Sequence, residues 1–337
     1  MKPRVAIVGV TGAVGQEFLR TLEQRRFPAA SYKMLASARS KGKTLEFAGE
    51  QYTVETLTES SFGDVDIALF SAGGSSSKQF APIAAEAGAV VVDNSSAFRM
   101  DDGVPLVVPE VNPGDLNNGS KIIANPNCST IIMVVPVWPL HQANRVERMV
   151  ISTYQAASGA GYQAMVELET QTADMLAGRP ARPKVLPHQA AFNVFSHNSD
   201  VGENGYNTEE MKMVHETRKM FHDPDIRVTA TCVRVPVMRA HCESINLTFS
   251  KPITEDEVRE ILASAPGVRI IDDRENSLFP MPIHAANGDD ILVGRIRQDI
   301  SQPDGRGIDL FVSGDQLRKG AALNAVQIAE QVVANNN

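Results

Sequence analysis

A chain of 337 residues, 43% hydrophobic and 21% charged, has material for about two packed domains. Its net charge of −8 argues against a general nucleic-acid surface and leaves small molecules as the expected partners. Three widely spaced cysteines, Cys128, Cys232 and Cys242, offer neither a disulfide framework nor a Cys-x-x-Cys pattern, so a reducing cytoplasm and no metal are expected.

The N-terminal "MKPRVAIVGVTGAVG" imitates a signal peptide, but glycines interrupt the apolar run and the charged "QEFLRTLEQRR" follows. It reads instead as a strand over Val5–Val8, a turn with Gly9, Gly12 and Gly15, and a helix with Phe18, Leu19 and Leu22 on one face. That order suits a dinucleotide-binding turn, although the spacing is G-x-x-G-x-x-G and a bare strand-to-helix turn would also explain it. Strand-like runs recur at Met34–Ala36, "VDIALFSAGG", "AVVVDNSS", "PLVVPEV" and "KIIANP", with helical stretches such as "SKQFAPIAAEAG" between them. Alternation of this kind predicts a parallel sheet with its ligand beyond the carboxyl ends of the strands, where Ser71–Gly73 and Cys128 fall. After the second strand, "LASARSKGKT" offers Ser37, Arg39 and Ser40 and no carboxylate to accept from a ribose 2′-hydroxyl. NADP is therefore expected rather than NAD, since an arginine can pair with a 2′-phosphate. The same stretch is not a nucleotide P-loop, because Ser37 occupies the first glycine position.

Cys128 lies in "KIIANPNCSTIIMVVPVW", after a short strand over Lys121–Ala124 and a bend at Pro126, with Ser129–Val135 continuing as a helix. A cysteine is by default a small buried hydrophobe. At a helix start, however, unpaired N–H groups and the positive end of the macrodipole stabilise thiolate over thiol and can hold an oxyanion. The apolar run Ile131–Leu140 is broken by two prolines and is too short to span a bilayer. From Val146 the pattern shifts to longer mixed strands and amphipathic helices: "ERMVISTYQAASGAG", "YQAMVELETQTADML", "TEEMKMVHETRKMF" and "RVTATCVRVPVMRAHCESINLTF". "TEDEVREILASA" opens with a capping box from Thr254 to Glu257, and a last helix is expected near Asp315–Ala334.

Together "GVTGAVG", "NSSAFR", "NPNCST", "STYQAASGAG", "EEMKMVHET" and "RVPVMRAH" closely resemble the aspartate-semialdehyde dehydrogenase family, in the right order and nearly end to end. The resemblance implies an α/β fold: an N-terminal Rossmann-type NADP-binding domain over 1–127, to which a C-terminal helix, 315–337, is expected to return. An α+β catalytic and dimerisation domain of the glyceraldehyde-phosphate-dehydrogenase-like type is expected over 128–314. It implies a cytoplasmic homodimer or homotetramer, without nucleic-acid or membrane partners. The implied reaction is NADPH-dependent reductive dephosphorylation of L-aspartyl 4-phosphate to L-aspartate 4-semialdehyde, on the route to lysine, methionine and threonine.

On that resemblance Cys128 is the nucleophile, which would form a thioester because a thioester accepts hydride and a carboxylate does not. His241 is the acid/base, expected to take the thiol proton and return one to oxygen. Gln155 orients substrate. Arg234 grips the substrate α-carboxylate, Glu209 faces its ammonium, and Lys212 and Arg99 face phosphate. Cofactor contacts fall to Gly9, Thr11, Gly12, Ala13, Val14, Ser37, Arg39, Ser40, Ser71, Gly73, Ser158 and Gly159, with Gln316 or Asn324 from the tail. Arg234 and His241 are seven apart, so on one continuous strand they would face opposite ways, and a bend or bulge near Pro236 is required. Arg239 is the next candidate for the carboxylate. Read from the residues alone, Glu209 and Lys212 would be an ordinary exposed i, i+3 pair.

Two other readings are open. N-acetylglutamyl-phosphate reductases share the chemistry, but tend to carry Gly before the cysteine and aromatic or Pro residues after it, where this chain has Asn127 and Ser129-Thr130. A non-catalytic NADP-binding homologue would be expected to lose the cysteine or the histidine.

Overall fold

The computed structural model describes residues 2–335. The chain forms two units, one comprising residues up to Asn127 together with those from Ala321, the other Cys128–Gly320.

The first unit opens with β1 (Arg4–Val8), α1 (Ala13–Gln24), β2 (Ser31–Ala36), the hairpin β3 (Thr44–Phe47) and β4 (Glu50–Thr53), and the short β5 (Glu55–Thr56). It continues with β6 (Ile67–Phe70), α2 (Gly74–Glu86), β7 (Val90–Asp93) and β8 (Ile122–Ala124). Six strands make one sheet in the order β5-β2-β1-β6-β7-β8, every pair parallel. Alternation along β1 sends Val5 and Ile7 to one face, against Phe18 and Leu22 of α1, and Ala6 and Val8 to the other, against Ala81 and Ala84 of α2. The order reverses between β1 and β6, so the crevice of this doubly wound sheet lies at their carboxyl ends. The apolar run "PLVVPEV" does not form the expected strand. Leu106 makes only an isolated bridge to Ala124, and Pro105 and Pro109 deny the segment the donors a longer ladder needs.

The second unit begins with α3 (Cys128–Ala143), followed by β9 (Val146–Gln155), α4 (Tyr162–Leu176), β10 (Phe195–Ser196), α5 (Thr208–Phe221), β11 (Arg227–Arg234) and β12 (His241–Phe249). It ends with α6 (Glu255–Ala263), β13 (Val268–Ile270), α7 (Pro282–Ala285), β14 (Ile291–Gln298) and β15 (Gly307–Gly314). Its mixed sheet runs β10-β11-β9-β12-β15-β14-β13. Helix α3 passes through Pro136 and Pro139 instead of ending at Val135. Ile131–Val135, Val137 and Leu140 are all buried, and that burial outweighs the backbone bonds the prolines forfeit. The expected tail helix is likewise divided. Residues 315–317 and a π-helical turn at Arg318–Ala322 precede α8 (Leu323–Asn335), whose Ala325, Val326 and Ala329 join the α1 side of the first unit's core. Residues 336 and 337 of that expected helix lie outside the described residues.

Candidate active site

In the first unit, Gly9 has φ +87°, and a Cβ there would sit 2.2 Å from the Ser71 carbonyl oxygen at the end of β6. Only glycine permits this approach. Gly15 is as constrained, its Cβ position lying 2.2 Å from the Gly9 carbonyl oxygen. Helix α1 starts at Ala13 and Val14 with Gly12 as its N-cap, no side-chain cap and no acidic residue in its first turn. Its leading N–H groups therefore suit a pyrophosphate, and α2, capped by Gly73, starts the same way. Thr11 Oγ1 lies 3.3 Å from Ser40 Oγ, which joins the glycine turn to the loop after β2. In that loop Ser37 caps a 3₁₀ turn and the exposed Arg39 follows. These residues fit a dinucleotide carrying a 2′-phosphate.

Arg99 belongs to the same unit, where it is buried and donates from Nε to the Asn125 carbonyl (2.9 Å) and from Nη2 to the Asn94 carbonyl (2.8 Å). Asn324, fully buried, donates to the Asn125 Oδ1 (2.6 Å) and the Val107 carbonyl (3.0 Å). Both brace the chain around Asn125, just after β8.

In the second unit, register brings the chemistry together. Gln155 pairs with Arg234 across β9 and β11, and Cys242 pairs with Tyr154 across β9 and β12, so Arg234, Gln155 and His241 share one sheet face. The bend required near Pro236 is present, with the Val237 N–H donating to the Val235 carbonyl at 2.8 Å, and it separates two strands instead of kinking one. Arg234 ends β11 and His241 begins β12, and the intervening turn docks on β9's extension, with Ala157 and Ser158 N–H donating to the Val237 and Met238 carbonyls. Ala240 takes a left-handed φ of 72° to enter β12, its N–H held by Gln316 Oε1 at 2.9 Å.

His241 is fully buried. Its Nδ1 accepts from the Ala156 N–H at 3.0 Å, so the neutral ring carries its proton on Nε2, a buried atom with no hydrogen-bond partner. Burial first, and the Arg234 charge second, push the ring's pKa down to about 3. This imidazole is built as a donor. The proton-accepting role expected of it would require the ring to turn and leave the Ala156 N–H unanswered. Gly159 lies against both Arg234 and His241, since a Cβ there would be 3.0 Å from Arg234 Nη1, His241 Cε1 and His241 Nε2.

Arg234 is buried, which lowers its pKa, while Glu209 and the Cys128 sulfur favour its charge. Nη1 donates to the Ala156 carbonyl (3.2 Å), and Nη2 meets His197 Nε2 at 2.8 Å. Glu209 and Lys212 do share a face of α5, Nζ to Oε2 at 3.0 Å, but the carboxylate is only 4% exposed. Gln155 Nε2 reaches Glu209 Oε1 (3.2 Å), Ser129 Oγ (3.1 Å) and Thr153 Oγ1 (3.3 Å). Cys128 starts α3 with its thiol partly accessible, and Gly320 backs it, a Cβ there lying 3.0 Å from Cys128 Cβ. The other two thiols are buried, and burial pushes Cys242 up to about 11 and Cys232 higher still, so both are inert.

The two tail candidates part company. Gln316 belongs to this unit, where its Nε2 donates to Ser158 Oγ. Arg239, the reserve carboxylate clamp, is instead committed to the fully buried Asp315, Nε to Oδ2 at 2.6 Å. Asp315 also accepts from the N–H groups of Asn287, Leu317 and Arg318. Sequence reasoning missed three residues here: His197, Asp315 and Glu243. Glu243 lies two residues beyond His241 on the same face, fully buried with both oxygens unpartnered, and burial followed by the nearby Glu209 raises its pKa well above the usual carboxylate value. Only the alternation H-x-E along an expected strand could have flagged it. Among the described residues no His, Cys, Asp or Glu cluster could hold a metal, and no helix is long and apolar enough to cross a membrane.

Residues 4–119 match the family model "Semialdehyde dehydrogenase, NAD binding domain", and residues 137–319 match "Semialdehyde dehydrogenase, dimerisation domain". The chain is 56% identical to the aspartate-semialdehyde dehydrogenase of Synechocystis sp., covering 98% of this chain and 97% of that protein. It is 52% identical to the one from Aquifex aeolicus, over 98% of each. The crystal structure of aspartate semialdehyde dehydrogenase II complexed with ASA from Vibrio cholerae superposes with a TM-score of 0.96 at 46% identity, over 99% of both chains.

Proposed function

This chain belongs to the aspartate-semialdehyde dehydrogenase family and reduces L-aspartyl 4-phosphate to L-aspartate 4-semialdehyde with NADPH in amino-acid biosynthesis, and we propose the following division of labour among its residues. The Cys128 thiolate, favoured by the α3 N-terminus, attacks the acyl carbon; a C–S bond forms, the C–O bond to phosphate breaks, and phosphate leaves. Bound NADPH supplies the hydride to the resulting thioester. The carbonyl re-forms as the thiolate leaves, releasing the aldehyde. His241 donates its Nε2–H to the acyl oxygen in both tetrahedral steps, a role supported by its Nδ1 bond to Ala156. Arg234 reads the α-carboxylate and Glu209 the ammonium, while Gln155, bonded to Glu209 and Ser129, keeps the acyl group over the thiol. Lys212 and Arg99 attract the phosphate. On the cofactor side, Gly9, Thr11, Gly12, Ala13, Val14 and Gly73 receive the pyrophosphate, Ser37, Arg39 and Ser40 the 2′-phosphate, and Ser158, Gly159 and Gln316 the nicotinamide.

The dimerisation domain makes a homodimer the basic assembly, with pairing of dimers the further state that light scattering would reveal. The expected compartment is the cytoplasm, supported by three cysteines that all remain thiols.

The observation that carries the reading is the single face uniting Arg234, Gln155 and His241 beside the helix that starts at Cys128. Phosphate-dependent NADP reduction with aspartate semialdehyde, against N-acetylglutamate semialdehyde, tests it. An acetylated nitrogen brings no positive charge to the buried Glu209 carboxylate, so preference for the acetylated substrate would move the chain to the reductase reading. Cys128→Ala should bind NADPH and lose turnover. Near-normal turnover would remove the thioester.

A further inference from the structure

We propose that His197, as a neutral imidazole, is the positioning residue that locks the Arg234 guanidinium to the first turn of α5, making one rigid clamp for the amino-acid end of the substrate. The inference rests on the role of Arg234 argued above.

An arginine only donates, so His197 Nε2, 2.8 Å from Arg234 Nη2, must hold a lone pair and the ring proton must be on Nδ1. Nδ1 faces two groups of Ser199, the Oγ at 3.1 Å and the backbone N–H at 3.3 Å; with Nε2 taken by Arg234, the Nδ1 proton goes to the nearer Oγ and the N–H contact is the one the neutral ring gives up. Ser199 in turn donates to Asn207 Oδ1 (3.3 Å) and accepts from the Glu209 N–H (3.1 Å). Asn207 is the N-cap of α5, holding the Glu210 N–H at 2.9 Å while Glu210 Oε2 answers the Asn207 N–H. From the ring to the helix cap the side-chain protons have one consistent arrangement, and the Ser199 N–H is the one donor it leaves facing Nδ1. The ring's own position is set by the backbone, because the His197 N–H donates to the Cys232 carbonyl at 2.8 Å beside β11.

The chemistry explains the residue type. The position needs an acceptor at one end and a donor at the other, without charge. A carboxylate there would pair with Arg234 and compete with the substrate's own carboxylate, whereas a neutral ring orients the guanidinium and leaves its charge for the ligand. The surrounding charges keep the ring neutral: burial lowers its pKa to about 4, Arg234 and Lys212 add to that, and only Glu209 opposes. Arg234 Nε is buried with no hydrogen-bond partner, so a donor remains for the ligand.

Steady-state kinetics on four variants of the full enzyme test the proposal. His197→Phe keeps the ring and removes both bonds, and should raise the KM for aspartate semialdehyde about 5- to 30-fold while kcat and the KM values for phosphate and NADP stay near wild type. His197→Gln, which can both accept and donate, should recover most of the loss. His197→Glu should raise that KM at least as much as the phenylalanine does. If His197→Phe keeps the wild-type KM while Arg234→Lys does not, the proposal is overturned and the clamp stands. If Arg234→Lys also behaves as wild type, the clamp fails and the proposal with it. Nitrogen-15 NMR of the wild-type ring gives a readout independent of folding in the variants: an Nε2–H tautomer or an imidazolium at pH 7 overturns the proposal, and an Nδ1–H tautomer supports it.

Discussion

Gly159 gives the sharpest test of the site geometry. It lies outside the left-handed region, so alanine there brings no backbone strain, and the whole effect must come from the added methyl. That carbon would start 3.0 Å from Arg234 Nη1 and from His241 Cε1 and Nε2, so the neighbours must retreat by a few tenths of an ångström. Neither can swing away: the Ala156 N–H and carbonyl hold His241 and Arg234 respectively, and His197 holds Arg234 from its far side. A misplacement of about 1 Å costs roughly 100-fold in rate, so a shift of a few tenths should cost about 10-fold in kcat/KM. Gly159→Ala should show this loss with aspartate semialdehyde, with an unfolding midpoint close to wild type and phosphate KM unchanged. Wild-type kcat/KM in a folded variant would show that Gly159 does not bound the reacting space, and would refute the arrangement of Arg234 and His241 around it.

Three further outcomes are expected. Arg39→Ala should weaken NADPH about 10- to 100-fold while leaving NADH affinity alone, read by fluorescence titration; equal losses would show that the exposed guanidinium meets no phosphate. His241 is neutral in the fold down to about pH 3 but titrates near 6.5 when unfolded, so the unfolded chain binds the extra proton and stability should fall as pH drops below about 6.5. Urea titrations of His241→Phe should show a slope shallower by up to about 1.4 kcal/mol per pH unit over that range, and an unchanged slope would mean the ring is not kept neutral. Asp315→Ala removes the buried carboxylate that Arg239, 17% exposed, is paired with, and should cost about 3 kcal/mol in unfolding free energy; a cost below about 1 kcal/mol would make the pair a surface ornament.

Local signals carried much of this protein. Alternation and glycine spacing made the first βαβ turn readable, because Gly9 and Gly15 answer constraints within a few residues of chain and one neighbouring strand. The α5 segment was read with its true bounds, since its apolar period, acidic start and basic end all agree, and so was the cap at Thr254. Cys128 at a helix start was likewise visible from the bend before it. Where the reading failed, distant chain decided. Pro136 and Pro139 normally stop a helix, yet α3 continues because the core around it rewards burial on every side. "PLVVPEV" has strand composition, but its contact with the end of β8 stops at one bridge, Leu106 to Ala124. Strand register settled the facing of Arg234 and His241, since seven residues of spacing mean nothing once the chain turns between two strands. The hydrogen bond from Ala156 chose the tautomer of His241, and Asp315 claimed Arg239; neither partner is adjacent in sequence. A residue's type states what it can do. Which proton it holds, and which face it shows, follow from groups that only the folded backbone brings within 3 Å.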